Sequence, residues 1–279
     1  MYNDFMNASP TFSSRLPVLF VSHGSPMFAV EHGATAGILR KWGQSLSVRP
    51  RGIVMMSPHW MARNVQVMTN PAPQTWHDFG GFPEILYTLQ YPAKGDPALG
   101  AHVIALLNAA GIQAQADAKR PFDHGAWVPL MHLFPDADIP VVQVALPVNY
   151  TPAGLFAMGA ALASLRDEGI LIIGSGSMTH NLGEFFGDRP VLGAPTEPYV
   201  EAFSRWIEQG ITTGNRTSMF NYRSLAPHAE RAHPTDEHFV PLYFSLGAGG
   251  WGTATAPSTH YLSREVMYSI LAMDSFSVE

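Results

Sequence analysis

LPVLFVSHGSPM, residues 16–27, is an apolar run of Leu, Val and Phe that stops at a cluster of Ser, His, Gly and Pro. Apolar β-branched and aromatic residues bounded by turn formers predict a buried strand feeding a loop, so His23 falls just past a strand's C-terminal end. The layout recurs twice. Residues 52–60, GIVMMSPHW, run from an apolar segment through Ser57 and Pro58 to His59, and residues 169–182, GILIIGSGSMTHNL, empty into Ser and Gly and then His180. Helical spacing over 34–46, 98–110, 152–166 and 197–210 alternates with these strands and with shorter ones at 65–69, 113–116 and 139–147. The alternation predicts an α/β fold, a single-domain α/β sandwich whose central, mostly parallel or mixed sheet is flanked by helices. The tail over 264–273 alternates enough to be its final strand. Open sheets of this kind place ligands beyond the C-terminal ends of their strands, so histidines far apart in sequence can meet on one rim.

Composition narrows the chemistry. The 279 residues are 46% apolar and 14% charged, with 12 histidines and no cysteine. The missing cysteines exclude disulfides, thiolate metal ligands and thiol nucleophiles, which leaves His, Asp and Glu to hold any metal. A formal charge of -6 without a Lys/Arg cluster argues against a nucleic-acid partner. No apolar run approaches the roughly 18 residues of a membrane helix, and no leader pattern opens the chain, so no membrane partner and a cytoplasmic location are expected. Residues 1–14 are expected to form a mobile polar tail before one domain over 15–279.

Two further histidines stand at helix entrances. His124 follows Asp123, a residue placed to cap a helix, in PFDHGAWVPLMHL over 121–133. His238 closes HPTDEH over 233–238, just ahead of a helix whose start Pro241 delays. Sites of His and carboxylate with open positions suit Fe(II), Zn²⁺ or Mn²⁺, and no H-E-x-x-H helix is present. Ser25, Ser57 and Ser177 are expected in turn chemistry rather than as nucleophiles, and Gly174-Ser175-Gly176 lacks the lysine of a phosphate loop. Asp78 is expected to brace the aromatic loop 76–92. Trp60, Phe79, Phe82 and Trp127 suit either a pocket wall or the core. His77 and His233 are expected to line the pocket or lie just behind it, His132 to be core or surface, and His32, His102, His228 and His260 have no supporting pattern.

SHGSP at 22–26, SPHW at 57–60, HDFGGFPEILY at 77–87, FDHGAWVPL at 122–130, GSGSMTHNL at 174–182 and HPTDEHFVPL at 233–242 together resemble the class III extradiol ring-cleavage dioxygenases, in the branch related to 4,5-DOPA dioxygenase. The resemblance spans roughly 16–273 and makes 15–279 a catalytic domain. It implies His23, His59 and His238 as metal ligands, with Glu237 the alternative to His238. It implies His180 as the acid/base, able also to approach the metal as a fourth group, and His124 as a catalytic contact to substrate or dioxygen. Fe(II) is the implied cofactor for activity, with Zn²⁺ as an occupant at rest. The implied substrates are dioxygen and a small catechol such as DOPA or a related catecholic acid. A zinc hydrolase on the same fold and a non-enzymatic binding relative are the alternatives.

Overall fold

The computed structural model describes residues 15–188, 190–253 and 258–279. The expected tail over 1–14 lies outside them. Ten strands are described: β1 (Val18–Ser22), β2 (Gly52–Ala62), β3 (Val65–Met68), β4 (Ala114–Asp117), β5 (Val141–Pro147), β6 (Ile170–Gly176), β7 (Thr259–Ser263), β8 (Val266–Met267), β9 (Leu271–Ala272) and β10 (Ser275–Val278). Eight of them form one sheet in the order β4-β3-β5-β2-β6-β1-β10-β7. Its centre is parallel, since β2 pairs in parallel with both β5 and β6, and β6 with β1. Antiparallel pairs flank this centre, with β3 against β5 on one side and β10 against β1 and β7 on the other. The sheet is therefore mixed around a parallel core.

The helices are α1 (Gly33–Ser45), α2 (Ile85–Thr88), α3 (Pro97–Ala109), α4 (His124–Leu133), α5 (Pro152–Ala161), α6 (Leu182–Asp188), α7 (Pro198–Thr213), α8 (Arg216–Phe220), α9 (Tyr222–Leu225), α10 (Ala229–Ala232) and α11 (Pro241–Gly249). Every residue of β1 and β6 is buried, as strands covered on both faces require. α11 lies along β6 and β1 and is backed by α5, while α4 lies along β2 and is backed by α1. One apolar core runs through all these layers. No helix among the described residues is long and apolar enough to cross a membrane.

The structure corrects three local expectations. His59 lies inside β2 rather than past its end, because the strand continues to Ala62. Its pairing with β5 jumps from Ser57↔Ala145 to Met61↔Leu146. Pro58 has no N–H for the ladder, and the resulting bulge re-aims the side chains of this segment. The last main-sheet strand is β10, not 264–273, since Tyr268 and Ser269 adopt positive φ and turn that segment into the small β8–β9 pair. The helix expected over 152–166 closes at Ala161 and passes into a 3₁₀ turn over Ala163–Glu168.

Candidate metal centre and active site

The C-terminal rim of the parallel strands gathers the histidines. His23 follows β1 directly, and its N–H donates to the Gly176 carbonyl at 2.9 Å, locking the exit of β1 to that of β6. The Ser177 N–H in turn donates to the His238 carbonyl at 2.7 Å, so the approach to α11 is tied to the same rim. Gly176 makes this contact possible, since a Cβ there would stand 2.2 Å from the His238 oxygen. Gly125 does the same for α4, where a Cβ would stand 2.4 Å from Ser57 Oγ and 2.8 Å from His59 Cδ2. The chain is thus drawn tight by small residues where its chemistry-bearing side chains meet.

His23, His59 and His238 converge. The Nε2 atoms of His23 and His59 are 3.2 Å apart, and those of His59 and His238 are 3.3 Å apart. The tautomers follow from what lies behind each ring. Ser175 Oγ donates to the Gly125 carbonyl at 2.5 Å, so it accepts from His23 Nδ1 at 2.9 Å. His238 Nδ1 donates to Glu237 Oε1 at 3.1 Å, and His59 Nδ1 faces Asp78 Oδ2 at 3.5 Å. These hydrogen bonds put the proton on Nδ1 of His23 and His238, the Asp78 charge favours the same tautomer of His59, and the three Nε2 atoms then meet as lone pairs. Such a trio has no N–H to share and is satisfied by a cation. Ligand nitrogens about 2.0–2.1 Å from a metal stand at about this spacing when its bond angles are near 100°.

Electrostatics prepares the rings for that role. Burial, reinforced by the neighbouring imidazoles, holds His23 and His238 well below the ordinary imidazole value. Burial and His124 lower His59 to about 4, and burial with His59 and His124 lowers His180 to about 4. All four are neutral at pH 7, the form in which imidazole coordinates.

The other two site histidines flank the trio. The His180 ring lies flat on that of His238, with centroids 3.6 Å apart and planes 7° apart. His124 opens α4, and its N–H and Nδ1 each lie 2.9 Å from Asp78 Oδ1. His124 Nε2 is therefore left as an acceptor. Burial pushes the Asp78 carboxyl up, but the hydrogen bonds and charges of His124 and His59 outweigh it and hold Asp78 below its ordinary value. His59, His124, His180 and His238 line a cavity of about 160 Å³, walled by Phe79, Phe82, Leu182, Phe185, Phe186 and Leu271. Two other groups could also hold a cation, His59 with Asp78 and His124, and His180 with Glu237 and His238.

The remaining candidates sort by contact. Asp123 caps α4 through the Ala126 N–H, as expected, and also accepts from Ser57, Gln143 and Arg120. Arg120 donates to the His59 carbonyl at 3.0 Å and stacks between Trp60 and Trp76. Ser25 caps the turn after His23, and Ser177 donates to the Thr179 carbonyl. Gly174, Ser175 and Gly176 lie inside β6 and form no phosphate loop. Phe79 and Phe82 wall the cavity, whereas Trp60 and Trp127 are buried outside it. His77 does not line it either, since its Nε2 meets the Leu89 carbonyl and braces its loop. His233 is buried behind the site against the Met178 carbonyl, and His132 is core. Sequence reasoning missed the roles of Ser175 and Arg120 and gave Asp78 only a bracing part. A buried serine inside a strand and an acid within an aromatic loop carry no signal of what they face.

Comparison with known proteins places these features among relatives. The family model for the catalytic LigB subunit of aromatic ring-opening dioxygenase matches residues 17–272. The chain is 38% identical over 239 residues to a 4,5-DOPA dioxygenase extradiol of Beta vulgaris, covering 83% of this chain and 86% of that protein. It is 38% identical over 240 residues to a 4,5-DOPA dioxygenase extradiol of Escherichia coli K12, covering 85% and 86%. The crystal structure of an uncharacterized protein from Escherichia coli K12 superposes with a TM-score of 0.76 at 30% identity, covering 95% of this chain and 100% of the other.

Proposed function

The chain belongs to the LigB family, the catalytic subunits of aromatic ring-opening dioxygenases, and we propose that it opens a small catechol beside the diol, using Fe(II) held by His23, His59 and His238. It is an extradiol ring-cleaving dioxygenase by family and by its named relatives. DOPA is the substrate in those relatives' names, and DOPA or a related catecholic acid is the class proposed here. A zinc hydrolase or a non-enzymatic binding protein is not favoured by these matches.

The observation that carries the proposal is the meeting of the His23, His59 and His238 Nε2 atoms beside an apolar cavity that His59 and His238 line, with hydrogen bonds behind the Nδ1 atoms of His23 and His238 and the Asp78 carboxylate facing that of His59. Fe(II) bound there would supply charge to stabilise the deprotonated diol and an electron path from ring to dioxygen. The residues do the rest. Phe79 and Phe82 flank the cavity and hold the ring by stacking and exclusion of water. His124 Nε2, a lone pair because Nδ1 is spent on Asp78, accepts from a substrate hydroxyl. His180, neutral and facing the cavity, takes the proton of the diol and returns it to the opening product. Glu237 serves as the orienter of His238 rather than as its replacement.

The overall change balances without a further reductant. One ring C–C bond breaks, both oxygen atoms of dioxygen enter the product, and a catechol plus O₂ becomes a hydroxylated muconic semialdehyde. Protein loaded with Fe(II) without air, then given air and a catechol, is expected to consume oxygen and form a yellow ring-opened product. Neither signal across a panel including DOPA would refute the assignment.

A further inference from the structure

We propose that Asp78 is a positioning residue for this site: one buried carboxylate sets the ring orientation and tautomer of His59, which faces the metal position, and of His124, which faces the substrate. The proposal rests on the function proposed above. Asp78 is 7% exposed, and its two oxygens divide between the two rings. Oδ1 takes both the backbone N–H and Nδ1 of His124 at 2.9 Å, and Oδ2 faces His59 Nδ1 at 3.5 Å. The two rings lie against each other with centroids 3.9 Å apart. An ionised carboxylate only accepts, so the hydrogen bond fixes the His124 proton on Nδ1, and the charge of Oδ2 across 3.5 Å favours the same tautomer of His59, which leaves Nε2 free on both rings.

The choice of partners separates this arrangement from a loop brace. Asp117 shows what a brace does, taking the N–H groups of Lys119 and Arg120 just downstream in its own turn. Asp123, more deeply buried than Asp78, is satisfied by Ser57, Gln143, Arg120 and the first turn of α4. Among the described residues, the hydrogen-bond and ion-pair partners of the Asp78 side chain are His59 and His124, and none comes from its own loop. The next residue, Phe79, lies edge-on to His124 with centroids 5.6 Å apart and walls the cavity. The loop over 76–92 therefore delivers, from neighbouring positions, the group that orients the histidines and a ring that contacts the substrate.

Asp78→Asn tests the proposal because it keeps size and changes only donors. The amide oxygen stays on the two His124 donors, which turns the NH₂ toward His59 Nδ1–H and drives His59 to the tautomer that cannot ligate through Nε2. Metal affinity of the initially metal-free protein, measured by chelator competition with Fe(II) under anaerobic conditions and with Zn²⁺, is expected to fall about 10–100-fold. Asp78→Ala is expected to lose that affinity and, at saturating metal, to lower kcat about 10–100-fold with little change in KM, because His124 is no longer held. His124→Ala is expected to lower kcat while leaving metal affinity within about threefold of wild type. Melting of the metal-free proteins reports the fold. A folded Asp78→Asn variant with metal affinity and kcat within twofold of wild type would overturn the proposal and make Asp78 a brace. If Asp78→Ala does not fold, the Asn variant decides alone. If the wild type opens no catechol, the assignment of function fails, but the metal titration still judges Asp78.

Discussion

Glu237 and His238 are neighbours in sequence, and a metal needs only one group from this pair. The geometry divides their work, since His238 Nε2 meets His59 Nε2 at 3.3 Å while Glu237 Oε1 stands behind at His238 Nδ1. His238→Ala is therefore expected to abolish tight metal binding, and Glu237→Ala to weaken it about 10–100-fold without abolishing it. Equal metal loss in the two variants, read by elemental analysis after dialysis, would make Glu237 a ligand. His180 differs again, being stacked on His238 without an Nε2 in the trio. Its replacement by Ala is expected to keep metal content and lower kcat by about 10²–10⁴-fold, the range for a lost acid/base. Metal loss as complete as in His23→Ala would show that His180 is a fourth ligand.

At the scale of elements, the site depends on β6 and the approach to α11 lying closer than any side chain permits. Gly176→Ala would put a Cβ 2.2 Å from the His238 oxygen, with backbone rather than a flexible tip in the way. The variant is expected to lose about 1–3 kcal/mol of stability and to bind metal less tightly, as chemical denaturation and metal titration would show. Unchanged stability would mean that the two segments can part without cost. The wall element α6 makes a separate prediction: Phe185→Ala should raise KM for a catechol several-fold and leave kcat nearly unchanged, because it removes contact common to ground and transition states. The elements were largely legible in the sequence, and the reason is burial. β1 and β6 open as unbroken apolar runs and β5 is interrupted only by Gln143, because both their faces are covered, while α3 shows helical spacing and α4 announces itself by the cap Asp123. What escaped were features set by partners distant in the chain. The bulge at His59 depends on how β2 meets β5, and the orienting roles of Asp78 and Ser175 depend on rings 46 and 152 residues away. The polar stretch over 211–232 gave no clear period because it folds as the end of α7 and three single-turn helices.

For the molecule as a whole, strand order is the part that no local pattern contained, yet it is what brings His23, His59 and His180 to one rim by setting β1, β6 and β2 side by side. The same arrangement buries an acid at the seam between the parallel core and its antiparallel flank. Asp274 immediately precedes β10, its carbonyl accepts from Ser22 Oγ at the end of β1, and its side chain is almost wholly enclosed. Burial first, then the charge of Glu208, raises its carboxyl from 3.8 to about 7, with Arg264 opposing. The folded protein thus holds a proton that the unfolded chain releases above about pH 4. Its stabilising contribution is complete below that pH, declines as pH rises, and is lost above about 7. At about 1.4 kcal/mol per unit of separation, the whole effect is on the order of a few kcal/mol. His132 acts with the opposite sign: burial lowers it to about 4, so its contribution is present above its ordinary value of 6.5 and is lost as pH falls toward 4. Between about pH 4 and 6.5 the two slopes oppose each other and nearly cancel, so the wild-type profile alone does not reveal either group, and the difference between wild type and Asp274→Asn isolates the acid. Denaturation midpoints from pH 4 to 8 are expected to show the variant gaining on wild type steadily as pH rises, since the amide mimics the protonated acid and has no proton to lose. Parallel profiles for the two proteins would mean that Asp274 is already ionised in the fold at pH 4.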